Sequence, residues 1–357
     1  MTKSDDVRQS FRDQAAACAR LGSSFMQRLC SLFAERLTES NEVFAHVLQW
    51  PGDPRPSHDS VPLRLCGALH WLVLAGMDAR LAQVYPPNEA ADEALWSAVD
   101  AAVQAHEATI LTRLQSPPQT NEVGRSAVLL PGFLEIARRF PGRPLVTSEP
   151  GASAGLNMNL DRYRYRLGAL AWGDPDAPVA LAPEWRGAVL PEPPARLTVA
   201  EKSACDLNPL DGRSPDDRLR LLSYLWADQT ERLALTRAAL QTIERRPVQV
   251  ERADAIAWLQ RRLAVPRPDL MHVVYHSICW QYLPKDQQVA GEALLRNAGA
   301  HATERAPVAW LRFEEDGNGP GAGLWLTTWP GGLDHSLARA DHHGRWVHWH
   351  GADPSGR

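Results

Sequence analysis

The sequence predicts an α/β protein in which an all-α N-terminal domain (residues 1–125) precedes a mostly parallel sheet covered by helices (residues 126–357). Three observations lead there. Up to about Arg113 the apolar residues recur at helical spacing and little reads as strand. From Pro144 onward short β-rich runs alternate with helical segments. With 357 residues the chain is also longer than one hydrophobic core usually serves.

The elements follow in order. Phe11, Cys18, Phe25, Leu29, Leu32 and Phe33 recur at helical steps around the Gly22-Ser23-Ser24 break, which predicts two amphipathic helices. Leu63 to Leu81 and Glu89 to Leu114 read as two more, separated by proline-rich loops at Pro51 to Pro62 and at Pro86-Pro87. His70, on an apolar helix, reads as a satisfied core residue. The strand runs are PLVTSE, ARLTVAEKSACD, PVQVERAD, DLMHVVYHS, PVAWLRFE, GLWLTTW and GRWVHWH. Helical segments lie between them at Asp216 to Arg245, Ala255 to Leu263 and Lys285 to Ala300. The last two strands have no long helix between them and are expected at an antiparallel edge. About residues 163–195 form an insertion after the first β-α unit, and its DRYRYRLG places arginines on one strand face and tyrosines on the other. Trp310, Trp325, Trp329, Trp346 and Trp349 gather late and read as sheet packing.

Composition narrows the function classes. A hydrophobic content of 44% and a charged content of 22% suit a folded soluble protein. A formal net charge of -4 gives no general attraction to phosphate backbones, so no nucleic-acid partner is expected. MTKSDDVRQSFRDQ lacks an apolar signal core, and the longest apolar run, LCGALHWLVLAG, is too short to cross a bilayer. A cytoplasmic protein without membrane association is the expectation. Cys18, Cys30, Cys66, Cys205 and Cys279 show no C-x-x-C pair, which suits reduced thiols. His335, His342, His343, His348 and His350 invite a metal reading, yet no carboxylate or cysteine completes a recognisable spacing, so no metal is expected.

The chemistry concentrates at PLVTSEPGASAGLNMNL, Pro144 to Leu160. Its GASAG fits G-x-S-x-G, a nucleophile elbow with Ser153 attacking, and also E-x-G-x-S-x-G from Glu149, a glycine-rich nucleotide loop. An α/β-hydrolase elbow follows several strands, whereas this one follows the first. A serine hydrolase using Ser153 with Asp254 and His276 therefore stands as an alternative only. In a doubly wound sheet, ligands bind where strands end. Here the ends carry Glu149, then Cys205-Asp206-Leu207-Asn208, then Ala253-Asp254-Ala255, then Tyr275-His276-Ser277.

That succession resembles the Rossmann-like class I S-adenosylmethionine-dependent methyltransferases. The finer wording, QTNEVGRSAVLLPGF, GASAGLNMNLDRYRY, CDLNPLD and HGRWVHW, resembles a bacterial family called domain of unknown function 2332. The broader resemblance implies S-adenosyl-L-methionine as cofactor, with Glu149 at its methionine end and the Gly151, Ser153 and Gly155 backbone against it. It further implies Asp206 on the ribose hydroxyls, with Asp254 and Ala255 at the adenine. Ser153 stands where such loops usually carry glycine, and the long gap from Gly155 to Asp206 keeps Glu201 as a reserve for the ribose. His276 and Ser277 take the catalytic position, His276 as a base with a near-neutral pKa. The crowded QTNEVGR, with Asn121, Glu122 and Arg125, reads as a loop folding over cofactor or substrate, Arg125 pairing a carboxylate; Asn157 is grouped with it. The expected function is methyl transfer to a small molecule or protein. A non-catalytic sensor or scaffold that binds S-adenosylmethionine or S-adenosylhomocysteine is the other alternative.

Overall fold

The computed structural model describes residues 2–192, 194 and 197–351. Part of the predicted insertion (193 and 195) and the end of the predicted second domain (352–357) lie outside the described residues. The chain begins with helices Lys3–Arg20 (α1), Ser24–Arg36 (α2), Glu42–Leu48 (α3), Val61–Leu74 (α4), Ala79–Ala82 (α5), Asp92–Ala105 (α6) and Glu107–Leu114 (α7). Thr2 opens α1 with a reciprocal cap, its hydroxyl accepting from Asp5 N while Asp5 accepts from Thr2 N. Every residue of the predicted Phe11 to Phe33 stripe is buried in the helical core. The predicted Leu63 to Leu81 helix divides at Gly76, where Asp78 caps a new turn by accepting from Leu81 N. The Glu89 to Leu114 helix divides at His106, whose backbone is not helical. Two turns of helix are too short for a periodic signal, which explains why α3 was not anticipated.

The sheet-bearing part follows, in chain order, as Ser126–Arg139 (α8), Leu145–Pro150 (β1), Arg164–Leu167 (β2), Leu170–Trp172 (β3), Ala180–Leu181 (β4) and Glu184–Gly187 (β5). Next come Val199–Asp206 (β6), Pro215–Ser223 (α9), Thr230–Arg245 (α10), Val250–Arg252 (β7), Ala255–Leu263 (α11), Met271–Ser277 (β8) and Lys285–Ala300 (α12). Val308–Glu314 (β9), Ala322–Trp329 (β10), Asp334–Ala340 (β11) and Trp346–Trp349 (β12) complete it. The main sheet runs β5-β12-β11-β10-β9-β8-β1-β6-β7, and β7, β6, β1, β8 and β9 are mutually parallel. The chain therefore moves outward from β1 to β7, returns to β8 and turns the other way, leaving a switch point between β1 and β8. Trp310 and Leu311, consecutive on β9, face opposite sides. Trp310 packs with Trp258, Leu259 and Leu295 of α11 and α12, and Leu311 lies against Gly132 of α8.

The antiparallel edge is wider than expected, because β9, β10, β11 and β12 form a meander with β5 added beyond it. DHSLARA carries few strand formers, and it pairs because both neighbours supply a ladder. In the insertion, β2 does alternate, with Arg164 and Arg166 exposed and Tyr165 buried.

The chain divides into two compact units, one of residues up to Thr120 with Ser214–Arg237, the other of Asn121–Arg213 with residues from Ala238 onward. Hence α9 and the first half of α10, expected among the sheet helices, belong to the helical unit. The segment is anchored within that unit: after α9, Asp228 accepts from Ser23 Oγ (2.6 Å) and Phe25 N (3.1 Å), and His70 Nδ1 donates to Ser223 O at the end of α9 (3.2 Å). Burial pushes the His70 imidazole down to about 4. Among the described residues no helix is long and apolar enough to cross a membrane.

A Cβ on Gly299 of α12 would stand 2.2 Å from the Trp329 ring. Helix propensity favours Gly299→Ala by about 1 kcal/mol, and overpacking a filled site costs about 1–3 kcal/mol. A net loss of stability is the expected outcome, read as a lower urea midpoint; an unchanged or raised midpoint would show that Trp329 yields freely.

Candidate functional site

The glycine loop leaves β1 at Pro150 and turns sharply, with Gly151 (φ +72), Ser153 (φ +55) and Gly155 (φ +73) all left-handed. The neighbouring strand holds this turn. Gly151 N and Ala152 N donate to Cys205 O (2.8 and 3.1 Å), and Ser153 N donates to Asp206 Oδ2 (2.9 Å). Asp206 Oδ1 accepts from Asn208 N at 2.8 Å. A Cβ on Gly155 would meet Met158 and Val248, so that glycine answers to packing within the protein. Gly151 is exposed, though a Cβ there would lie 2.8 Å from the Cys279 side chain.

Glu149 is 3% exposed, and Tyr275 Oη donates to its Oε2 at 2.7 Å. Burial pushes its carboxyl up to about 8, and the nearby Asp206 charge acts in the same direction. Glu149, Asp206 and Asp254 do end adjacent parallel strands or begin the next helix, but each is differently engaged. Asp254 caps α11, its Oδ1 accepting from Ile256 N and Ala257 N, and Ala255 is the first residue of that helix. The reserve residue Glu201 lies elsewhere, paired with Arg262 and Arg267.

The QTNEVGR residues stitch the glycine loop to α8. Asn121 Oδ1 accepts from Leu156 N (2.8 Å), Asn157 Nδ2 donates to Glu122 O (3.3 Å), and Ser126 Oγ donates to Asn157 Oδ1 (2.6 Å). All four side chains are buried. Arg125, expected to pair a carboxylate, instead donates to two carbonyls, His342 O at 2.9 Å and Ser277 O at 3.1 Å. Burial lowers its pKa. Tyr163 and Tyr165 donate to Leu156 O and Leu160 O, both at 2.6 Å, bracing the segment that follows the loop.

His276, expected as a base, is enclosed. Trp310 Nε1 donates to its Nε2 (2.9 Å), Glu314 Oε1 lies 2.7 Å from its Nδ1, and Trp280 stacks on its ring at 4.6 Å. An indole N–H only donates, so Nε2 accepts and the ring proton sits on Nδ1, facing Glu314. In this arrangement neither nitrogen has a lone pair left for a substrate proton. Glu314 Oε1 also accepts from Cys279 N (3.0 Å) and Trp280 N (3.2 Å), so the carboxylate secures the turn after β8. Ser277 contributes its carbonyl to Arg125. The Ser153 hydroxyl is buried with no hydrogen-bond partner among the described residues, and the histidine expected to activate it is committed elsewhere.

The ligating atoms of His276, Cys279 and Glu314 lie within 4.8 Å of one another, a grouping no sequence spacing suggested. A metal on Nδ1 would force the ring proton onto Nε2, opposite the Trp310 N–H, and two donors would then face each other. Burial raises the Cys279 thiol well above its ordinary range, which also opposes metal ligation. The set reads as a hydrogen-bonded clasp. The exposed His348 and His350 rings lie 6.3 Å apart on one edge.

A family model described as an uncharacterized protein conserved in bacteria (DUF2332) matches residues 8–349. The chain belongs to this family. No curated protein and no solved structure matches it.

Sequence reasoning missed Cys279, Glu314 and Trp310 as members of this site, and it named Tyr275 as part of a strand end without a role. Glu314 had a usable signal, since it ends a strand run as Glu149 does. Trp310 had none, because its partner is set by the pairing of β8 with β9.

Glu149 makes stability depend on pH. Between about 4.5, its ordinary value, and about 8 the native carboxyl holds a proton that the unfolded chain has released. The unfolded state binds fewer protons there, so stability falls as pH rises through that window and levels off above it. Glu149→Gln retains an oxygen for Tyr275 and removes the slope. Near pH 9 the variant should exceed the wild type by roughly a few kcal/mol in denaturant unfolding; parallel curves for the two proteins would refute the assignment.

Proposed function

We propose that the sheet unit binds S-adenosyl-L-methionine at the carboxyl end of its parallel strands and transfers its methyl group to a small molecule or a protein side chain. The observation that carries the reading is the Asp206 carboxylate held against the left-handed glycine loop beside the switch point. Each Asp206 oxygen accepts one backbone N–H, which leaves each a lone pair for a ribose hydroxyl. Asp254 uses Oδ1 for its cap, leaving Oδ2 for an adenine amino group. Leu207, 61% exposed between these acids in the chain, offers an apolar face. The buried, orphaned Ser153 hydroxyl is a further group that a bound ligand would satisfy.

The cofactor, when bound, supplies an electrophilic methyl group on a sulfonium. The residues of this chain hold it, orient it and keep water from it. His276 supports this as a positioning residue through Glu314, whose carboxylate holds the turn that carries Cys279 toward Gly151. Its occupied ring nitrogens favour a second reading, in which the unit binds S-adenosylmethionine or S-adenosylhomocysteine as a sensor without catalysing transfer.

Isothermal titration of the full chain with each compound tests the proposal. Binding should weaken by about tenfold or more in Asp206→Ala and by less in Asp254→Asn, since asparagine still caps α11. No heat with either compound, in protein shown to be folded, removes the proposal. Binding without turnover against a metabolite extract selects the sensor.

A further inference from the structure

The central strands β1 and β8 carry a second polar cluster, centred on the amino-terminal part of β8. His272 lies near the start of β8, roughly 16 Å along the strand from Ser277. Ser148, fully buried on β1, accepts from Arg262 Nε (3.1 Å) and lies 2.9 Å from His272 Nε2. The described residues offer the Ser148 proton no other acceptor, so it goes to Nε2 and the ring proton sits on Nδ1. Arg262 Nη1 and Arg267 Nη1 hold Glu201 between them at 2.6 and 3.2 Å. Burial, with the two guanidiniums, drives the His272 imidazole down to about 4, so the ring is uncharged at neutral pH.

His272 and Arg267 line a cavity of about 490 Å³ whose walls otherwise include Leu263, Leu294, Ala298 and Val308. Neither His272 Nδ1 nor Arg267 Nη2 has a hydrogen-bond partner among the described residues. Arg262 Nη2 and Arg267 Nε are buried and also without partners. Of this cluster only His272 and Arg267 line the cavity, whose other polar walls are Gln260, Asn297 and His301, and two guanidiniums against one carboxylate leave a single positive charge behind that end. A ligand that matches has an apolar body and one anionic, planar, two-oxygen head. The carboxyl ends of α11 and α12, near the same cavity, carry partial negative charge and disfavour a dianion.

We propose that this cavity binds a small monocarboxylate with an apolar chain, its head between His272 Nδ1 and Arg267 Nη2. The site is separate from the glycine loop and independent of the function proposed for it.

Hexanoate is the probe, with hexanamide as a neutral isostere and inorganic phosphate as an anion lacking an apolar body. Hexanoate should bind the full chain at least about tenfold more tightly than either control, and should slow hydrogen exchange around Leu263 to Arg267 and Asn297 to Ala302. Arg267→Gln should weaken binding about tenfold with an unchanged melting temperature, and Ala298→Trp, which fills the cavity, should abolish it. The proposal is overturned if hexanoate does not bind, if hexanamide or phosphate binds as well as hexanoate, or if Arg267→Gln leaves its affinity unchanged. Arg267 is partly exposed, so that variant remains decisive should Ala298→Trp fail to fold.

Discussion

Three consecutive N–H groups, those of Gly151, Ala152 and Ser153, find their acceptors at the end of the neighbouring strand, and the site rests on that fact. A left-handed serine costs roughly 1–2 kcal/mol, and a hydrogen bond to a charged acceptor contributes about 1.5–3 kcal/mol. The turn is therefore stable only while Asp206 stands beside it. Its position follows from the register of β1 on β6, which sets Glu149 against Ala204 and Pro150 against Cys205. A slip of one residue would carry Asp206 away from Ser153 and turn every side chain on the strand to the other face.

Around that turn most polar groups satisfy one another, the Ser153 hydroxyl and Glu314 Oε2 being the exceptions among the described residues. Glu149 takes the Tyr275 hydroxyl, Glu314 gathers the His276 ring and two backbone N–H groups, and Arg125 joins the end of β8 to the turn before β12. In a low-dielectric interior such partnerships are strong, and leaving one unmade is costly. The rim is accordingly built to hold its own turns in position.

Much of the sheet was legible. Each β-rich run named from the sequence contains a strand, because alternating or continuous apolar patterns reflect burial that is local to the strand. Where that pattern is weak, reading failed. Strand β11 has almost no apolar pattern of its own, and α3 is too short to show one. The polar QTNEVGR segment was visible as unusual, but polarity reveals a need for partners without saying whether a ligand or the protein supplies them. Here the partners are the protein's own backbone and Asn157.

The sequence alone determined the order of the strongly patterned helices and strands, the glycine loop after the first strand and the acids at the strand ends, since each depends on neighbours within a few residues. Tertiary structure alone decided what those residues do. His276 meets Trp310 and Glu314 through pairing of β8 with β9, Asp206 meets Ser153 across β1 and β6, and the segment carrying α9 joins the helical unit through Asp228 on Ser23 and Ser223 on His70. These partners are distant in the chain, and no local pattern records which distant group a buried donor or acceptor will meet.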